Sequence, residues 1–263
     1  GNGIGLVILP GGAQTRVGAH RQHVLLARSL AERGIATLRF EGRGMGDSEG
    51  VHPGFAALGP DIAAAVQALR STVPGLDQVI LYGLCDAAAA IALGLAAAAA
   101  DGAILLNPWV RSEKTLAATR IRTHYPRQAL SAAFWKKLLS GQINPWAKLR
   151  EILATIAASR QDTGDEASLA DQLHAALAAC DRPLLLLLSG RDMTAAEFEG
   201  EVLPRLQNPP LPHLTVARIS GADHTLSQAI WWRGALDHIE EWLDQRQQHR
   251  ANRAGPVQTG EAT

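Results

Sequence analysis

Five leucines stand in a row within residues 183–189. A strand with one face in water alternates apolar and polar positions. A strand that is apolar at every position must be covered on both faces, and that is the signature of a parallel sheet between helices. Further runs read as strands at residues 4–9, 35–40, 78–82, 103–106 and 213–219. Between them, apolar residues recur at helical spacing over 19–33, 60–72, 86–100, 194–206 and 225–246, the first stopping before Gly34 and the second carrying Asp61 in its first turn. Regular strand–helix alternation predicts an α/β fold, a mostly parallel sheet with helices on both faces. Sites in such sheets lie beyond the carboxyl ends of the strands. The alternation fails over residues 107–182, a helical stretch with Trp109, Trp135 and Trp146. It is too long for a loop, so a helical cap insertion is expected there. The core is then 1–106 and 183–246, and the polar tail 247–263, with Gly and Pro, is expected to be disordered.

The chain has 263 residues, enough for one large domain with an insertion, and 47% of them are hydrophobic. Its 25 Lys and Arg balance 25 Asp and Glu, so bulk charge offers no case for nucleic acid as a partner. Two cysteines, Cys85 and Cys180, are too few for a disulfide framework and fit a reducing, cytoplasmic compartment. The longest apolar run, residues 87–100, is mostly alanine and shorter than the roughly 20 residues of a membrane span. The chain opens on Gly1, with "GLVILP" almost at once. A truncated N-terminus is expected, so the lack of a visible targeting segment carries little weight.

Three reactive side chains follow strands that this topology makes neighbours. Cys85, in "GLCDA", follows the strand at 78–82; Asp192, in "LLSGRD", follows the leucine strand; His224, in "ISGADHTLS", follows the last strand. The order nucleophile, acid, histidine resembles that of the α/β-hydrolase superfamily. Gly83-Leu84-Cys85-Asp86-Ala87 resembles its G-x-S-x-G elbow, with Cys for Ser and Ala for the last Gly. "FEGRGMGDSEG" resembles the D-x-R-G-x-G-x-S loop of these enzymes, and "PGG" at Pro10–Gly12 the H-G-G-like loop that lends an oxyanion-hole amide. More narrowly, "GGAQTRVGAHRQHVLLARSLAERGIATLRFEGRGMGDSEG", "GLCDAA", "LLNPWVRSE" and "FWKKLLSG" resemble the exosortase A system-associated hydrolase 1 family. Its members are predicted α/β hydrolases encoded with bacterial exopolysaccharide and exosortase loci.

The resemblance implies an α/β-hydrolase fold and a Cys85–His224–Asp192 triad. A helix amino end and a neighbouring imidazolium favour thiolate over thiol. His224 would take the thiol proton and return it to the leaving group, and Asp192 would orient the ring. The backbone N–H of Asp86 and one from Gly12 or Ala13 would bind the oxyanion. The Asp86 carboxylate would oppose thiolate formation if it pointed inward. It is expected to point away or to pair with a cap arginine. No metal or organic cofactor is implied.

Plainer readings stand beside these. A cysteine after a strand is often a core residue, and Asp192 could be a helix N-cap. Asp223 competes for the acid's role. Cys180, His20, His23, His52, His124, His174, His213 and His238 lack matching context and read as packing or surface residues. Asp47 and Ser48 read as shaping the glycine-rich loop, and Asp47 stands where the last glycine of G-x-G-x-x-G would be, against a dinucleotide site. Residues 111–150 hold nine Lys or Arg and one acid, Glu113. This is either a solvated surface or a positive lid that attracts an anionic acyl donor, with contact to an anionic membrane a further alternative. Arg111, Arg120, Arg122, His124 and Tyr125 are the substrate-binding candidates on that lid. The expected function is hydrolysis of a small-molecule ester or thioester. The alternatives are acyl transfer to a sugar or alcohol, and a non-catalytic scaffold. Oligomeric state is not legible in the sequence.

Overall fold

The computed structural model describes residues 3–12, 14–110 and 167–254. Six strands form one sheet: β1 (Ile4–Leu9), β2 (Ala36–Arg39), β3 (Gln78–Leu84), β4 (Gly102–Leu106), β5 (Leu184–Ser189) and β6 (Leu214–Ile219). Their spatial order is β2-β1-β3-β4-β5-β6, and every neighbouring pair is parallel. The chain winds from β1 to one edge, then returns to β3 and proceeds to the other. The direction of winding therefore reverses between β1 and β3, the position where ligand crevices form in open parallel sheets.

Side chains alternate across the pleat, so each strand feeds two cores. Val7, Leu81, Leu105, Leu186 and Leu188 pack under α2 (Gly59–Thr72), α3 (Asp86–Gly94), α4 (Leu169–Ala178), α5 (Met193–Glu201) and α6 (Leu203–Leu206). Ile8, Ile80, Tyr82, Leu106 and Leu187 pack on the opposite face, against α1 (Gln22–Glu32) and α7 (Ala229–Ala254). The central strands β1, β3, β4 and β5 are buried along nearly their whole length, as their unbroken apolar composition predicts.

Three helix boundaries differ from the sequence reading. The helix expected over 194–206 is two, α5 and α6, because Pro204 in the first turn of α6 has no N–H to continue the ladder. The helix expected over 86–100 closes at Gly94, a residue that weakens helix interiors. The last helix starts at Ala229 and runs to Ala254, so residues 247–254 are helical rather than disordered. Gln, Arg and Ala there are adequate helix formers, and Gly255 and Pro256 follow them. Of the stretch read as a cap, α4 is described, closed at its start by a reciprocal Ser168–Asp171 capping box. Residues 111–166 and 255–263 lie outside the described residues.

Candidate active site

The strand-to-helix turn at Cys85 is tight. Gly83 has no room for a side chain: a Cβ there would lie 2.8 Å from the Ala87 carbonyl carbon and 2.9 Å from the Ala88 nitrogen. β3 and α3 therefore approach backbone to backbone, and Ala87 fits where the resemblance has glycine. Cys85 itself has φ 63° and ψ −122°. A β-carbon residue adopts that conformation only when its surroundings over-determine it. Here its N–H donates to Leu106 O (2.9 Å), and its carbonyl accepts from Ala89 (3.1 Å) and Trp109 (3.1 Å). The turn sets the sulfur at the amino end of α3, half-exposed.

Asp192 and His224 arrive from the next strand ends. The side chain of Asp192 is 7% exposed, and one of its oxygens lies 2.8 Å from His224 Nδ1. The same carboxylate accepts from the N–H groups of Thr194 and Ala195, at 3.2 and 3.1 Å, and so caps α5. One carboxylate thus both caps α5 and meets the His224 ring. The pKa of His224 is raised to about 10, first by the hydrogen bond to Asp192, then by one to Cys85, with burial opposing both. Asp192 and Cys85 thus both favour the charged form of the ring. Asp223 is turned to Ser227 instead. Cys180 bonds locally to the backbone of Arg182.

The oxyanion side departs from expectation. The Gly12 N–H donates to both Asp86 carboxylate oxygens, at 2.8 and 2.9 Å. Asp86 Oδ1 also accepts from Ala87 N (3.0 Å). Asp86 meets no arginine among the described residues; its carboxylate lies on the PGG loop. Its own N–H forms no hydrogen bond among the described residues, as suits the first turn of a helix. Of the expected oxyanion donors, the Asp86 amide is free, the Gly12 amide is taken, and Ala13 lies outside the described residues. The substrate-binding candidates Arg111, Arg120, Arg122, His124 and Tyr125 lie outside them too.

The glycine-rich loop forms one wall of a cavity of about 420 Å³, lined by Gly12, Gln14, Met45, His52 and Asp86 among others. Glu41 holds that loop from below. It accepts from Arg16 N (2.8 Å) and Asp47 N (3.0 Å), which keep its carboxyl below the usual range. Ser48 Oγ donates to Glu41 O (2.8 Å), and Arg16 pairs with Asp47. Asp47 and Ser48 thus shape the loop, as read from sequence. Among the described residues no cluster of three or more His, Cys, Asp or Glu could hold a metal.

The sequence reading did not single out Asn107. Fully buried at the end of β4, it accepts from Ser189 N (2.8 Å) and donates to Ser189 Oγ (2.9 Å) and to His224 O (3.1 Å). Its φ is 46°, a region asparagine enters more readily than most residues. The only signal in the sequence is an amide directly after an apolar strand.

The model of the alpha/beta hydrolase family matches residues 6–235. No curated protein matches the chain. Among solved structures, an esterase of Pyrococcus furiosus is similar at TM-score 0.61 and 15% identity, over 92% of this chain and 82% of that one. Est1E from Butyrivibrio proteoclasticus, with ferulic acid bound, gives 0.55 and 14%, over 92% and 88%. XC6422 from Xanthomonas campestris, described as a serine hydrolase without a lid, gives 0.51 and 17%, over 90% and 82%. At such identities these structures speak for the fold alone.

Proposed function

The chain belongs to the α/β-hydrolase family, and from that premise we propose that it hydrolyses an ester or thioester through a covalent acyl-enzyme on Cys85. One observation carries the reading: a cysteine held at φ 63° on a strand-to-helix turn, on a chain whose His224 ring is bonded to a buried aspartate and has its pKa raised by Asp192 first and Cys85 second. The proton of the Cys85–His224 pair lies on the imidazole, and the sulfur attacks the carbonyl carbon as a thiolate to form a C–S bond. The negative charge that develops on the carbonyl oxygen lies near the Asp86 N–H. The carbonyl re-forms as the bond to the leaving group breaks, and the His224 imidazolium returns its proton to the departing oxygen or sulfur. Water, deprotonated by His224, then releases the acid and regenerates the thiol. Asp192 keeps the ring oriented and balances its charge.

The finer context belongs to the same proposal. The resemblance to exosortase A system-associated hydrolases supports a link to bacterial exopolysaccharide and exosortase systems, and a working thiol suits the reducing cytoplasm. No helix among the described residues is long and apolar enough to cross a membrane.

Incubation with a panel of activated esters and thioesters, followed by intact mass, tests the reading. The expected result is an acyl adduct that maps to Cys85, no turnover by Cys85→Ala, and faster iodoacetamide labelling at Cys85 than at Cys180. Equal labelling of the two cysteines with full activity in Cys85→Ala would overturn it.

A further inference from the structure

The Asp86 carboxylate lies where the proposed reaction needs a hydrogen-bond donor free. It holds the Gly12 N–H with both oxygens, and it lines the cavity under the glycine-rich loop. The contact is built into the loop. A Cβ on Gly11 would lie 2.5 Å from Asp86 Oδ1 and 2.5 Å from the Leu84 carbonyl oxygen, so only glycine lets the carboxylate lie there. Gly12 turns its amide toward it at φ 56°. No cationic side chain pairs with Asp86 among the described residues. The other described residues on the cavity, Gln14, Met45 and His52 with three glycines, include no second acid and no Lys or Arg.

An acyl oxygen cannot use the Gly12 amide while a carboxylate occupies it, and a developing oxyanion would be repelled there. Resting on the acyl-enzyme reading above, we propose that Asp86 is a specificity-determining residue. Its carboxylate masks the loop amide against neutral acyl donors and yields it to donors that carry a cationic group near the reacting carbonyl. The cation draws the carboxylate onto itself, and the Gly12 N–H turns free as the carbonyl arrives. The basic residues of 111–150 lie outside the described residues, and among the described residues on the cavity the one carboxylate is that of Asp86. One oxyanion donor is worth roughly 100- to 1000-fold in rate, so masking it discriminates strongly.

Acetylthiocholine and its uncharged carbon isostere, 3,3-dimethylbutyl thioacetate, differ in charge and little in shape. The measurement is the rate of Cys85 acetylation by each, read by intact mass and peptide mapping. Each rate is divided by the rate of iodoacetamide alkylation at Cys85, because alkylation senses the thiolate but needs no oxyanion donor. The native protein should favour the cationic thioester by about tenfold or more. In Asp86→Ala the preference should vanish, because the neutral thioester gains relative to alkylation. Asp86→Asn, which keeps shape without charge, should move the same way by less, and it serves as the probe if the alanine variant does not fold. An unchanged preference in the variants, or a neutral thioester that gains nothing over alkylation, would overturn the proposal. Alkylation at Cys85 without acetylation by either thioester in all three proteins would instead overturn the acyl-enzyme reading on which it rests.

Discussion

Asp192 concentrates three hydrogen bonds on one carboxylate: two to the first turn of α5 and one to His224. A carboxylate has roughly four acceptor sites on two oxygens, so capping a helix and steadying a ring need not compete. That is why the two roles stood as alternatives in the sequence and coexist in the structure. Asparagine is also a good N-cap, so Asp192→Asn separates them. It should keep α5 closed while the His224 pKa falls from about 10 toward its ordinary 6.5. Asp192→Ala should lose the cap as well, costing about 1 kcal/mol more. The sign of the pH effect follows from a folded pKa raised above the unfolded one. The stability His224 contributes is fully present below pH 6.5 and is lost as pH rises through about 10. Urea unfolding at pH 6, 8 and 10 should therefore show the native protein's margin over Asp192→Asn shrinking across that range. An NMR titration of the His224 ring gives the pKa directly. A margin that grows with pH would mean that Asp192 does not hold the imidazolium. The masking of Gly12 by Asp86 was invisible in sequence for a related reason: motif spacing locates a backbone amide, but the rotamer of a neighbouring carboxylate decides whether that amide is free.

Among the elements, α1 shows how far periodicity reads. Its apolar stripe, Leu26 and Leu30, packs against the sheet where the pattern puts it. His23 was read as a surface or packing residue, and it is wholly buried, with its ring edge-on to Tyr82 at 6.0 Å between centroids. Neither ring nitrogen meets a hydrogen-bond partner among the described residues. A histidine on a core face looks the same in sequence whether it is satisfied or not, so its cost was not legible. Burial first, and Arg39 second, lower its pKa to about 4. The unfolded chain takes up this proton near pH 6.5 and the folded chain only near 4, so stability falls as pH drops through that window. The loss from this group should reach on the order of 3 kcal/mol. His23→Phe, similar in size and without a titrating group, should flatten the acid limb of the stability profile, measured by urea unfolding at pH 4.5, 5.5 and 7. A limb of unchanged slope would assign acid sensitivity to other groups.

At the scale of the molecule, the site is a product of strand order. The elbow after β3 and the PGG loop after β1 meet where the winding reverses, and the ends of β5 and β6 bring Asp192 and His224 beside Cys85. The parallel sheet was legible, because alternation and short connections leave few parallel topologies. The tie across the strand ends was not. Asn107 joins the end of β4 to Ser189 on β5 and to the carbonyl of His224 beyond β6, all buried or half-buried. No local pattern announces a contact 117 residues apart. Asn107→Gly tests what the tie does, since glycine accepts φ 46° without strain. The variant leaves the buried Ser189 N–H without its acceptor, which costs about 1–3 kcal/mol. If the tie also registers His224 against Cys85, Cys85 acylation should slow by about tenfold, as a modest displacement of a catalytic group does, and iodoacetamide alkylation of Cys85, which senses the thiolate, should slow as well. Raising the substrate concentration should not restore the acylation rate, because the lost step is proton transfer rather than binding. A variant that is destabilised yet acylates at the native rate would show that Asn107 holds the sheet together and leaves the ring in place.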